Sequence, residues 1–420
     1  MKNFNIIKTL YICIIKITKK IYKNVKDAFF IFLYYLFRFF PLQNKIIAST
    51  FQGRKYGDNP QFILEELFKI APDLDYVWLK NKECVYTTPT FLRTVNCLHN
   101  PIRQIYEYAT AKVWIDTHRL DSRKRKRKGQ LFIETWHGGL GIKKLDGDVE
   151  KFRQDKRVMA EVYNTSKLAD LFISNSDHLT NIYRSAFGYK GKIWKCGYPK
   201  NDSLIFDGAV ARKNVRSCYN LSSETKIIIY APTFRDELWN GKIDISLYDM
   251  DFRKVYYSIN KYWDGKWQLF IRWHPNMMNL MTDIQKLYND CIIDVTDYPD
   301  MQELILASDA FISDYSSCIF DAAIRNIPCF TFATDFEEYK VDRGVYYEME
   351  ELPFPYAKNN DELIYNIINF NYENYLENWE KFKIRTGLYE SGHAAKDIAY
   401  VINEFVKGNT KPLEDIQNEE

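Results

Sequence analysis

Trp136-His137-Gly138-Gly139 directly follows LFIET (131–135), an apolar run that reads as a β-strand. α/β proteins place ligand contacts at such strand ends, and a histidine there can take a proton from an attacking hydroxyl near neutral pH. Paired glycines let a backbone approach a substrate closely. A histidine serving only its own turn is the plainer alternative. Arg272-Trp273-His274-Pro275 ends a second run, and His274, held before a proline, could donate to a phosphate oxygen or merely cap the turn. In Tyr230-Ala231-Pro232-Thr233-Phe234-Arg235 the last residue stands where a guanidinium could grip a phosphate with two bonds, or form a surface salt bridge. Asp314-Tyr315-Ser316-Ser317 opens a helical pattern that contains Asp321. Hydroxyls at a helix start satisfy free backbone N–H groups, and the same end, positive in its dipole, attracts anions. Glu337-Glu338-Tyr339 and Arg343-Gly344 predict a polar loop that could close over a nucleotide, with a solvated acidic face as the alternative. One Asp-x-Asp, Asp146-Gly147-Asp148, carries no metal expectation, and no cofactor is implied.

These residues need strands to hold them. Short apolar runs alternate with helical patterns after Pro41, as in βαβ units. Strands are predicted at 45–49, 76–79, 112–116, 131–135, 171–174 and 192–196, then at 226–231, 268–273, 291–295, 310–314 and 329–333. Helices are predicted over 60–71, 100–111, 276–288, 300–307, 317–325, 361–370 and 391–407. The polar cluster near 200–224 marks the best domain boundary. Two consecutive parallel α/β domains are expected, over 42–210 and 211–390, with a C-terminal helix and polar tail in 391–420.

The composition is globular, 46% hydrophobic and 27% charged over 420 residues, which excludes disorder and small disulfide scaffolds. The net charge of +3 hides an asymmetry: residues 1–40 hold eight basic residues and one acid, so the remainder is slightly acidic. Ile6, Leu10, Ile14, Ile17 and Ile21 recur at helical spacing, with Lys8, Lys16, Lys19, Lys20, Lys23 and Lys26 opposite. AFFIFLYYLFRFF (28–40) follows, then Pro41 as a stop. Residues 1–41 thus predict an amphipathic anchor lying on an anionic membrane, rather than a signal peptide; packing on the protein's own core and a membrane span are the alternatives. The basic run Arg123–Lys128 predicts a second patch for anionic lipid or a phosphorylated acceptor, or a solvated loop. Without interleaved aromatics or a basic body it does not predict a nucleic-acid partner. Eight scattered cysteines fit a reducing compartment.

Taken in order, Gly57-Asp58-Asn59-Pro60, Thr135-Trp136-His137-Gly138, Lys143-Lys144-Leu145, Tyr230-Ala231-Pro232-Thr233, His274-Pro275, Asp314-Tyr315-Ser316-Ser317 with Asp321, and Glu338-Tyr339 with Arg343-Gly344 resemble the CDP-glycerol glycerophosphotransferase family, which includes teichoic acid primases and polymerases. The resemblance covers roughly residues 45–405. It implies two Rossmann-like domains in a GT-B arrangement, and a peripheral enzyme on the cytoplasmic face of the membrane with a lipid-linked saccharide acceptor. Under it His137 resembles the general base, His274, Ser316 and Ser317 the ligands of the donor's pyrophosphate, and Arg235 a further phosphate contact, with Asp321 and Arg343 supporting the site. Gly139-Leu140-Gly141 departs from the family's usual Thr-Pro on the acceptor side. The family's acidic-Gly-x-Ala element corresponds to Ser391-Gly392-His393-Ala394, its acid displaced to Glu390. The length favours primase-like members over the longer polymerases.

The implied reaction moves glycerol phosphate, or a related alditol phosphate, from a CDP-alditol to an acceptor hydroxyl and releases CMP, for a teichoic acid or capsule. The competing readings are a GT-B glycosyltransferase using a sugar nucleotide and a non-catalytic membrane adaptor of a polymer-assembly complex. Self-association is left open.

Overall fold

The computed structural model describes residues 2–81, 86–97, 99–206, 208–235, 248, 250–274, 277 and 291–417. The helix expected at 276–288 lies outside them but for Met277. Among the described residues thirteen strands form two sheets: β1 (Gln43–Ser49), β2 (Asp75–Lys80), β3 (Leu92–Asn96), β4 (Ala111–Asp116), β5 (Leu131–Glu134), β6 (Leu171–Ser174) and β7 (Lys192–Lys195) in one; β8 (Lys226–Ala231), β9 (Trp267–Ile271), β10 (Ile292–Asp294), β11 (Ala310–Ser313), β12 (Cys329–Phe332) and β13 (Tyr356–Ala357) in the other. The orders are β3-β2-β1-β4-β5-β6-β7 and β10-β9-β8-β11-β12-β13. Counted from its own first strand, each sheet therefore runs 3-2-1-4-5-6, the doubly wound order, with a seventh strand added to the first sheet. The pairings from β3 to β6 and from β10 to β13 are all parallel. Strands such as LFIE and AFIS are buried at every position, as sheets covered on both faces require. Two strands were not foreseen: LRTVN carries three polar side chains in five residues, and β13 is only two residues long.

The chain divides into two compact units. The first comprises Met1–Thr135, Ala160–Phe172 and Ala399–Ile416; the second Trp136–Met159, Ile173–Ile398 and Gln417–Glu420.

In the first unit a single helix, Lys2–Leu36, covers both expected N-terminal segments, and a 3-10 turn at Phe37–Phe39 ends it before Pro41. Leu33 and Tyr34 bury into a cluster with Ile105, Tyr108, Trp114 and Phe132, so the helix's end packs on the protein's own core. Ile17, Ile21, Val25, Phe29, Phe32 and Leu36 repeat at spacings of three and four and stay exposed. No described helix is long and apolar enough to cross a membrane. The basic run differs from expectation, because much of it faces inward. Arg127 donates to the carbonyls of Arg38 (2.7 Å) and Phe40 (2.9 Å). Arg123 pairs with Asp27 at 3.3 Å, Lys126 pairs with Asp170, and Lys124 lies 3.8 Å from Asp116. Arg123 holds the helix itself and Arg127 the turn that follows it, while Lys124 and Lys126 pair elsewhere in the unit.

Lys45 of β1 and Glu107 are 1% and 0% exposed and 2.7 Å apart, and Arg93 (2.7 Å) and Arg103 (2.6 Å) share the same carboxylate. Burial pushes Glu107 up, but hydrogen bonds from Arg93 and Lys45 outweigh it and hold its pKa at about 2. A depressed carboxylate stabilises the fold above its unfolded pKa and loses that contribution as pH falls through the folded one. The first unit is therefore expected to lose ~3 kcal/mol between about pH 4.5 and pH 2. Urea melts should show Glu107→Gln less stable than wild type at neutral pH, with a flatter acid limb.

Candidate active site

The residues described here belong to the second unit. Trp136 adopts φ 52, a left-handed backbone that a bulky residue rarely takes, and is buried. Its ring stacks on His137 at 4.5 Å. Strain of this kind persists only where the surroundings fix it, and here they do. The Lys200 ammonium donates to the His137 carbonyl (3.1 Å), and the Tyr198 hydroxyl to the Gly138 carbonyl (2.9 Å). A Cβ on Gly138 would stand 3.2 Å from the Ser317 Oγ, and one on Gly139 would stand 2.7 Å from the Asn175 Nδ2. The two glycines are what let this loop lie against those side chains.

Ser317 immediately precedes the helix Cys318–Ile324, and its hydroxyl makes no capping bond. Ser316 Oγ accepts from the Cys318 N–H at 3.4 Å. Both serines are half-buried. Asp321, one turn into that helix, is 3% exposed and accepts from Lys200 (3.0 Å) and Asn201 (3.1 Å). It is a supporting residue. Glu390 joins the same network. Its carboxylate accepts from Asn175 Nδ2, Asn201 Nδ2 and the Tyr198 N–H, each at 2.8 Å. Burial pushes its pKa up to about 7 against those three donors.

Arg235 departs from expectation. Its side chain is 6% exposed and bonded to Asp335 through Nε (2.7 Å) and Nη2 (2.9 Å), and to Asp314 (2.8 Å) and the Thr233 carbonyl (2.7 Å) through Nη1. The guanidinium also lies 4.6 Å from the Tyr315 ring centre. Two carboxylates and a carbonyl thus engage all three of its nitrogens, so here it fixes the Asp314–Tyr315 segment instead of presenting itself to a phosphate. The neighbouring Phe234 ring stands 5.7 Å from that of His274, which is exposed past the end of β9. Glu337-Glu338-Tyr339 is likewise not a loop. Phe336–Arg343 is a helix, with Phe336 and Tyr339 buried on one face and Gly344 (φ 74) at its end. Tyr339 stacks on Tyr315 at 3.8 Å. Arg343 lies over Phe152 (4.5 Å), and the following backbone pairs with the loop beyond Gly141, where Lys144 N–H donates to the Gly344 carbonyl at 3.0 Å.

The structure thus ties the His137 backbone to Asp321 through Lys200, lays Gly138 close to Ser317, and sets His274 beside the segment that Arg235 anchors. Lys200, Tyr198, Asn175 and Asn201 were not foreseen. The signal for Tyr198, Lys200 and Asn201 is Gly197-Tyr198-Pro199-Lys200-Asn201-Asp202, a turn-forming stretch just after β7, and that for Asn175 is its place directly after β6.

Several known proteins are similar to this chain. The teichoic acid poly(glycerol phosphate) polymerase of Staphylococcus epidermidis is 30% identical over 375 residues, 86% of this chain and 51% of the polymerase. The chain thus spans about half the length of that relative. The teichoic acid glycerol-phosphate primase of Bacillus subtilis is 27% identical over 311 residues, 73% of this chain and 77% of the primase. Among solved structures, the wall teichoic acid polymerase TagF, in a histidine-to-asparagine variant with CDPG, matches with a TM-score of 0.74 and 28% identity, covering 87% of this chain and 90% of that one. Residues 32–404 match the family described as CDP-glycerol:poly(glycerophosphate) glycerophosphotransferase, and it is to this family that the chain belongs.

Proposed function

We propose that the protein transfers glycerol phosphate, or a related alditol phosphate, from a CDP-alditol to a hydroxyl of a lipid-linked saccharide acceptor, in teichoic acid or capsule synthesis. The observation that carries this reading is the close approach of Gly138, next to His137, to the Ser317 hydroxyl, which supports taking the two residues as base and phosphate ligand of one site. The acceptor oxygen attacks the phosphorus that bears the alditol, and its proton passes to the His137 imidazole. The bond from that phosphorus to the bridging oxygen breaks, and CMP leaves with the electron pair. His274, Ser316 and Ser317 contact the pyrophosphate and spread the charge that CMP takes. Such transfers depend mainly on alignment and charge compensation.

The shared 3-2-1-4-5-6 order supports reading the two sheets as the Rossmann-like domains of a GT-B arrangement. The exposed apolar stripe on Lys2–Leu36, with Lys19, Lys20, Lys23 and Lys26 on the other side of the helix, supports a peripheral place on the anionic, cytoplasmic face of the membrane. The test is a panel of CDP-glycerol, CDP-ribitol and UDP-sugars with a lipid-linked disaccharide. CMP release with phosphate transfer from a CDP-alditol is the expected result, while turnover of a UDP-sugar alone would make the protein a glycosyltransferase. Product mass decides the remaining point: one added unit supports the primase-like reading, a ladder the polymerase reading.

A further inference from the structure

We propose that Lys200 is the positioning residue of the reaction, a buried ammonium that sets where His137 stands relative to the helix following Ser316–Ser317. The inference rests on reading His137 as the base. Lys200 is 6% exposed, and an ammonium withdrawn from water costs several kcal/mol unless its protons find partners. Among its partners are groups on two different segments: the His137 carbonyl at 3.1 Å and Asp321 at 3.0 Å. Balancing the Asp321 charge would need only the second of these. The bond to His137 does something else. It fixes the peptide from which the imidazole projects, next to the strained Trp136 backbone. Tyr198, two residues earlier in the same turn, holds the next carbonyl, that of Gly138. One turn of chain therefore grips two consecutive peptides of the base loop.

The other end of the clamp is as firmly held. Asp321 also accepts from Asn201 at 3.1 Å, and the Gln302 amide stands 3.4 Å from it. The ammonium thus joins the base's backbone to the helix following the serines, and Gly138 already lies against Ser317. A shift of about 1 Å in a reacting group costs on the order of 100-fold in rate. Lys200 touches no reacting atom in this reading, so its loss should lower turnover and spare donor binding.

The test compares Lys200→Met, Lys200→Arg and the pair Lys200→Met with Asp321→Asn, the last removing both members of the ion pair together. Lys200→Met should lose about 100-fold in kcat, with KM for CDP-glycerol within about threefold. Lys200→Arg, which keeps a cation and several donors, should recover most of that loss. The double variant should regain thermal stability but not kcat. A purely structural role predicts the reverse, and a double variant with restored melting temperature and wild-type kcat would overturn the proposal. A second readout needs no turnover. In protein labelled at the imidazole carbons, with His137→Gln used for assignment, the His137 resonance and its titration should move in the double variant. An unmoved resonance overturns the proposal. If the wild-type enzyme turned over no CDP-alditol, the donor reading would fail by itself, and the resonance would still decide the role of Lys200.

Discussion

Replacing His137 with alanine is expected to abolish transfer while leaving CDP-glycerol binding within a few-fold of wild type. A positioned general base contributes about 10²- to 10⁴-fold, and no other side chain described on the Trp136–Gly139 loop can accept a proton at neutral pH. The loop itself should survive the substitution. Its shape is held through the His137 and Gly138 carbonyls, by Lys200 and Tyr198, and through the close approach of Gly138 to Ser317, none of which uses the imidazole. The stacking of the ring on Trp136 is lost, at a cost of about 1 kcal/mol. His137→Gln, which keeps a planar hydrogen-bonding group without a base, should be as inactive. Single-turnover assays with labelled CDP-glycerol, beside calorimetric titration of the donor, separate the two effects. A variant with wild-type turnover would remove His137 from the mechanism.

How much of this was legible before the fold was known differs from residue to residue, for a physical reason. The strands announce themselves because a parallel sheet covered on both faces needs unbroken apolar runs, and so the residues just past them, His137, His274 and Ser316–Ser317, could be picked out. What a charged residue does at such a place depends on partners far along the chain. Lysine is almost never fully buried, so Lys200 reads as surface until the fold sets it beside Asp321, 121 positions away. The run at Arg123–Lys128 misleads in the same way, since Arg127 finds its acceptors at Arg38 and Phe40, almost 90 positions earlier. At Phe336–Arg343 the composition misled where the periodicity did not: Phe336 and Tyr339 are three apart, as one helix face requires, but the acids between them read as loop. Glu390 was legible only through the family's acidic-Gly-x-Ala element, and its three donors come from Asn175, Tyr198 and Asn201.

Arg235 yields the second large effect. Arg235→Met should destabilise the second unit by about 3–5 kcal/mol, where a surface salt bridge would give about 1 kcal/mol or less. The carboxylates it leaves behind are buried, at 2% and 8% side-chain exposure, and removing one partner of a buried pair strands the other's charge. Asp314 keeps its bonds from the Thr233 and Tyr315 N–H groups, and Asp335 its bond from the Tyr315 hydroxyl, so the loss is local. For domains of this size each kcal/mol shifts the melting temperature by about 2–4 °C, which makes a fall on the order of 10 °C the expected reading. Arg235→Lys should recover only part of it, because a point charge cannot hold Asp335 with two nitrogens while a third holds Asp314. Adding Asp335→Asn to Arg235→Met should restore some stability by removing one stranded charge. Donor affinity should follow stability downward, because Asp314 and Tyr315 lead directly into Ser316–Ser317. An Arg235→Met protein that melts like wild type yet binds CDP-glycerol poorly would return the guanidinium to the phosphate, since only a contact with the donor itself would then account for the loss.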